Sequence, residues 1–163
     1  TLLIIGFLCV GWFSRSLSYQ SNIEVRASPE LCWSVLQNPG YLKLWMEGFD
    51  KIQFVSGIPG EIGSEYRLIF KEGEEINALL QKLTVLDDNE RLGFEIKNDF
   101  LFGSVDIQLT PSQTGTTITG TTEYAGQNAF LQSLFVLTNS STDESDQSNY
   151  DNLKALIESK SGN

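Results

Sequence analysis

Histidine is absent from the 163 residues of this chain, and cysteine occurs only twice, at Cys9 and Cys32. Because histidine is the usual general base at neutral pH and the commonest metal ligand, its absence excludes Ser-His and Cys-His catalysis. Two cysteines supply neither a disulfide framework nor the spacing of a zinc site. No other pattern in the chain indicates a metal or a cofactor, so we expect neither.

Basic residues are scarce as well, because the chain has 11 of them against 21 acidic residues and a formal net charge of −10. A surface this negative repels phosphate groups, so we expect no nucleic acid partner and no electrostatic docking onto anionic lipid. Hydrophobic residues make up 40% of the chain and charged residues 20%, which is typical of a globular domain. A length of 163 residues suits one domain with a substantial core.

The first thirteen residues, TLLIIGFLCVGWF, are apolar and carry no charge. This run is shorter than the about 20 residues of a full membrane span. With more apolar residues it would be an anchor, and with a cleavage site it would be the core of a signal peptide, although residues 14–16 match such a site poorly. We therefore predict an anchor or signal remnant at 1–15 and a domain at 16–160. The protein would be membrane-anchored or exported, or cytoplasmic if residues 1–13 belong to the domain.

Two short helices are predicted between residues 28 and 46. Ser28 is suited to cap the first helix, and Pro29 suits its first position. The sequence NPG at 38–40 ends that helix, because proline disfavours helical backbone in the residue before it. Apolar residues then recur at helical spacing from 42 to 46, which predicts a second, shorter helix.

Alternating apolar and polar residues predict a β-rich middle of the chain. In RLGFEIK, for example, three apolar side chains share one face. Tight polar turns between such segments are typical of an antiparallel meander. The predicted strands are 16–27, 50–56, 64–71, 75–86, 91–97, 102–109 and 116–124.

Helical spacing returns near the C-terminus, at 128–137 and again at 150–159. Between them lies a polar, acidic stretch from Thr138 to Asn149. It is either a loop between two helices or the solvated middle of one long helix.

This order of segments resembles the START-like, birch-pollen-allergen-like superfamily, and within it the polyketide cyclase/dehydrase and lipid-transport proteins. The resemblance implies an α+β helix-grip fold, in which a strongly curved antiparallel sheet of about seven strands wraps round a C-terminal helix, with two short helices after the first strand. The segments that carry the resemblance are 23–45, 55–68, 83–96, 115–124 and 152–158.

The resemblance also implies an apolar cavity between the sheet and the C-terminal helix. A small hydrophobic molecule, a lipid or a polyketide-like compound, would be its ligand. Arg67 and Lys82 lie inside strands and could turn inward to hold a ligand carboxylate, although outward side chains are the more favoured alternative. The apolar candidates for the lining are Trp45, Tyr66, Leu68, Phe70, Phe94, Ile96, Val105, Ile107, Phe130 and Leu134.

Three functions remain open at this point. The first is binding of a hydrophobic ligand by a tethered or exported protein. The second is a cyclase/dehydrase-type enzyme that uses Tyr66, Arg67 or a carboxylate in the same cavity. The third is a structural or interaction domain whose interior is solid, because every packed sheet shows the same alternation. The acidic residues fall at turns and on outer faces, so we assign no catalytic residue.

Overall fold

The computed structural model describes residues 16–128, 130–132 and 140–162. Within these ranges seven strands form one antiparallel sheet, in the order β1-β7-β6-β5-β4-β3-β2. Their bounds are β1 Leu17–Val25, β2 Phe49–Ser56, β3 Glu65–Glu72, β4 Glu75–Asp87, β5 Arg91–Lys97, β6 Leu101–Pro111 and β7 Thr116–Gly126. The seven predicted strands are confirmed, and each boundary lies within two residues of its prediction.

The two edge strands, β1 and β2, are connected by a helical segment. It consists of α1 (Pro29–Leu36), a 3-10 turn (Pro39–Tyr41) and α2 (Leu42–Trp45). Ser28 caps α1, since its Oγ accepts a hydrogen bond from the Leu31 N–H at 3.4 Å. The two short helices therefore lie where the sequence predicted them.

A long helix, α3 (Ser140–Ser161), ends the described chain and packs against β1, α1 and α2. The polar stretch 138–149 is thus helical from Ser140 onward. Residues 130–132 are also helical, but residues 133–139 lie outside the described ranges. The α+β helix-grip arrangement, a curved sheet with a C-terminal helix, is confirmed.

The sheet makes room for α3 at Gly120 in β7. A Cβ atom at this position would overlap the hydroxyl and the ring of Tyr150. Tyr150 is buried, so its ring lies directly against the strand backbone. Glycine is needed here because any side chain would push α3 away from the sheet.

The core lies at the junction of β1, β7, α1 and α3. Its fully buried side chains include Val25, Val35 and Ile118. Cys32 of α1 is also fully buried, and this burial raises the pKa of its thiol.

The Cys32 thiol is therefore expected to be inert in the folded protein, because thiolate formation and reagent access are both suppressed. In a Cys9→Ser variant, an aromatic disulfide reagent should react at least about 100-fold more slowly than with the urea-unfolded chain. Ser34 is exposed on the same helix. A Ser34→Cys control should react at the ordinary rate, and equal rates at both positions would contradict the buried position of Cys32.

The predicted N-terminal segment, residues 1–15, lies outside the described residues. Among the helices that are described, none is both long enough and apolar enough to cross a membrane.

Candidate functional site

The concave face of the sheet and the α1–α2 segment enclose a cavity of about 390 Å³. Apolar side chains form most of its wall, as is typical of sites for small hydrophobic molecules. The helical segment contributes Leu36, Gln37, Pro39, Leu42, Trp45 and Met46 to the lining. The sheet and one loop contribute Ile52, Gly60, Tyr66, Leu68, Leu79, Gln81, Leu83, Leu86, Leu92, Phe94, Ile96, Val105 and Ile107.

Strand alternation explains most of these positions, because every second residue of a strand faces the same side. In β4, Leu79, Gln81 and Leu83 follow this rule. The pairing of β4 with β5 then shifts register between Leu83 and Val85. This bulge changes the parity of the strand, so that Leu86 rather than Val85 reaches the cavity.

Exposed members of the lining mark the mouth of the cavity. They are Gln37, Pro39 and Gly60, while the other lining residues are at least half-buried. The mouth therefore lies between the end of α1 and the loop that joins β2 to β3.

Helix α2, which forms one wall of the cavity, is attached on two sides. The Asp50 carboxylate of β2 forms ion pairs with two lysines: its Oδ1 lies 3.4 Å from Lys43 Nζ of α2, and its Oδ2 lies 3.2 Å from Lys71 Nζ of β3. Lys71 and then Lys43 hold the pKa of the Asp50 carboxyl below its ordinary value. On the other side, the Glu47 N–H donates to the Asn149 Oδ1 of α3 at 2.8 Å. These contacts join the wall to both the sheet and the long helix.

The polar groups of the described lining are Gln37, Gln81, the Trp45 indole and the Tyr66 hydroxyl, and this lining contains no Asp, Glu, Lys or Arg. The Tyr66 oxygen accepts a hydrogen bond from the Gly60 N–H at 2.9 Å, so its own hydrogen can be donated elsewhere. Within the described ranges, no group of three or more metal-ligating side chains could hold a metal ion.

The structure brings seven of the ten predicted lining residues together around the cavity. Phe70 lies on the same face of β3 but beyond the cavity. Its ring packs edge-on against that of Phe49, with the two ring centroids 5.9 Å apart. Phe130 is 57% exposed and also lies outside the lining. Leu134 lies outside the described residues. The seven in the lining are Trp45, Tyr66, Leu68, Phe94, Ile96, Val105 and Ile107.

Neither of the two possible inward cations, Arg67 and Lys82, is in the described lining of the cavity. Arg67 is exposed on β3, between Tyr66 and Leu68, which face inward. Lys82 of β4 is also exposed and stands opposite Glu65 and Glu95 on neighbouring strands. Both side chains therefore lie on the outer face of the sheet in this structure.

The α1–α2 segment is the helical cover that the described part of the cavity wall shows. Side chains between Leu36 and Met46 line this side of the cavity, and none of residues 147–161 of α3 is in the described lining. Leu153 and Ile157 of α3 are buried in the core cluster that includes Ile23 and Val25 of β1. The α1–α2 segment was recognisably amphipathic, but the sequence alone did not show that its apolar side faces a cavity.

A second, larger groove of about 520 Å³ lies on the outer face of the sheet. Charged side chains, among them Glu65, Lys82, Glu95 and Glu123, form much of its wall. The outer groove is therefore poorly suited to an apolar ligand, and the inner cavity is the better candidate.

Comparisons with known proteins agree with this architecture. A family model described as "Polyketide cyclase / dehydrase and lipid transport" matches residues 16–158. No curated protein matches the chain significantly.

Several solved structures share the fold at low sequence identity. A protein of unknown function from Staphylococcus aureus, SA2116, superimposes with a TM-score of 0.74 at 13% identity, over 93% of this chain and 99% of that one. The Zhui aromatase/cyclase from Streptomyces sp. R1128 superimposes with a TM-score of 0.71 at 14% sequence identity, over 88% of this chain and 94% of that one. Ara h 8.0201 superimposes with a TM-score of 0.71 at 13% sequence identity, over 88% of this chain and 99% of that one.

Proposed function

The chain belongs to the polyketide cyclase/dehydrase and lipid transport family of the START-like superfamily, and from this membership we propose that it binds one small, uncharged hydrophobic molecule in the inner cavity. We further propose that the apolar residues 1–13 tether the domain to a membrane, where the ligand would be taken up or delivered. The observation that carries the proposal is a cavity of about 390 Å³ whose described lining has no charged side chain.

The composition of the lining supports an uncharged ligand rather than a fatty acid or a phosphate ester. An ionised group buried without a partner is costly, and the described wall offers it no cation. Arg67 and Lys82, each of which lies between two lining residues of its strand, are exposed on the outer face. Gln81 and the Tyr66 hydroxyl can instead hydrogen-bond a ketone, ester or hydroxyl of the ligand.

The same observations favour binding over catalysis and over a solid interior. General acid–base chemistry needs titratable groups held within reach of the substrate, and the described lining supplies only the Tyr66 hydroxyl. A solid interior does not fit a cavity of this volume. We therefore place ligand binding first, and turnover of aromatic polyketides would be the result that restores the enzyme hypothesis.

Dodecanol is expected to displace Nile red from the protein at least about tenfold more effectively than dodecanoate at about pH 8. The reason is that burying the unpaired carboxylate costs more than the about 1.4 kcal/mol that corresponds to tenfold. Dye fluorescence in a competition titration measures both affinities. Equal affinities, or no displacement by either compound, would contradict an uncharged cavity for hydrophobic ligands.

A matched pair of lysine variants provides the control. Gln81→Lys places a cation in the lining and should improve dodecanoate binding relative to dodecanol. Ser104→Lys places the same cation on the outer face of β6, where Ser104 is exposed, and should leave the preference unchanged.

A further inference from the structure

Three large apolar side chains are exposed at one end of the sheet. Phe100 in the β5–β6 turn is 57% exposed, Phe102 at the start of β6 is 51% exposed, and Phe130 beyond β7 is 57% exposed. Soluble domains seldom group such side chains in water, and groups of them mark surfaces that bind protein or membrane. We refer to these three residues as the phenylalanine end.

Backbone contacts bring these residues to the same place. Phe102 stands opposite Ala125 in the β6–β7 pairing. The Gln127 N–H donates to the Phe100 carbonyl at 2.9 Å. The Gly126 N–H donates to Gln132 Oε1 at 2.6 Å, which holds the segment carrying Phe130 beside the end of β7.

The apolar N-terminal segment joins the domain at this end. Ser16, the first described residue, lines the outer groove together with Phe102 and Ala125. Leu17 then pairs with Tyr124, three residues before Gln127. The thirteen uncharged residues of the N-terminal segment are therefore connected to the domain directly beside exposed phenylalanines.

We propose that the phenylalanine end lies on the surface of an electrically neutral lipid bilayer. This proposal rests on the tethering proposed above and adds the face of the domain that meets the lipid. A chain that enters the membrane just before Ser16 must hold the adjoining surface at the lipid interface, where apolar rings are buried among headgroups and acyl chains.

The charged side chains around the phenylalanine end favour neutral over anionic lipid headgroups. Among the described residues, Lys97 and Lys82 are the basic side chains of the adjoining outer groove, where they are outnumbered by Glu65, Glu95 and Glu123, and Asp99 in the turn adds a further exposed acid. Together with the net charge of −10, this surface gains nothing from anionic headgroups. Contact would depend on burial of the rings and would be insensitive to salt.

Another exposed apolar site provides the matched comparison. Ile62 is 62% exposed in the loop before β3, and β3 is five positions from β1 in the sheet order. If the mouth of the cavity rather than the phenylalanine end faced the membrane, this loop would make the contact.

The experiment uses the full chain with Cys9→Ser, in which the remaining native thiol is the buried Cys32. Phe100→Cys, Phe102→Cys and Ile62→Cys are labelled separately with a polarity-sensitive fluorophore and mixed with phosphatidylcholine vesicles that contain brominated lipid. Labels at 100 and 102 should shift to the blue and be quenched about twofold or more, while the label at 62 stays water-like. Added phosphatidylserine should not strengthen the quenching.

Three results would overturn the proposal. The labels at 100 and 102 could stay water-like, the label at 62 could be quenched instead, or the chain could remain in the supernatant when the vesicles are sedimented. The Nile red competition is measured separately without vesicles. If the chain binds vesicles but the labels stay water-like, only the membrane face is refuted. If the chain does not bind vesicles, the tethering is refuted as well. In either case a preference for dodecanol in the separate titration leaves the ligand proposal standing.

Discussion

Replacement of Leu153 by alanine is expected to lower the free energy of unfolding by about 2–5 kcal/mol, which is the usual cost of truncating a fully buried leucine. Leu153 has no exposed surface and lies in the core between α3 and the sheet. The measurement is urea unfolding of the domain followed by circular dichroism. Asn152→Ala, at an exposed neighbouring position of the same helix, should change stability by less than about 0.5 kcal/mol.

This large effect follows from how few buried apolar side chains the described part of α3 contributes to the core. The described part of the helix is mostly polar, and its buried residues Tyr150, Leu153 and Ile157 follow at spacings of three and four. Each therefore carries a large share of the contact with the sheet. If Leu153→Ala unfolded at the same urea concentration as the wild-type protein, the helix would have to be held by something other than this stripe.

Unfolding of α3 would also affect the wall of the cavity. The Asn149 side chain accepts from the Glu47 N–H at the end of α2, and α2 forms one wall of the cavity. The long helix therefore supports the ligand site from behind, although none of its described residues lines it. The described part of α3 therefore stabilises the smaller helices that line the cavity.

Most of the fold could be predicted because local chemistry specifies it. The segment 91–97 alternates cleanly and is strand β5 with those bounds. Ser28, Pro29 and the NPG turn specify where α1 begins and ends. These features depend on residues within a few positions of each other, so the sequence displays them directly.

The candidate site was less predictable because it depends on contacts between distant segments. Alternation correctly selected the inward face of β3, but it could not show that Phe49 closes this face at Phe70. The β4 bulge that turns Leu86 inward has no sequence signal of its own. Whether the apolar face of a helix covers a cavity or a solid core likewise depends on side chains from segments that are distant in the sequence.

Val105→Trp is expected to abolish most ligand binding while leaving the fold intact. Val105 faces the cavity from the middle of β6 and is only half-buried, so a larger side chain can extend into the empty volume. An indole that displaces about 100 Å² of ligand contact removes about 2.5 kcal/mol at about 25 cal/mol per Å², or roughly 70-fold in Kd. Nile red titration measures this loss.

The matched control is Ser104→Trp, which adds the same ring one residue away on the outer face of β6. It should bind Nile red and dodecanol as the wild-type protein does. Should Val105→Trp prove unstable, Leu79→Trp fills the cavity from β4 and tests the same expectation. A folded variant of either kind that binds as tightly as the control would show that the ligand lies elsewhere, because a filled cavity cannot accept the molecule that it is proposed to hold.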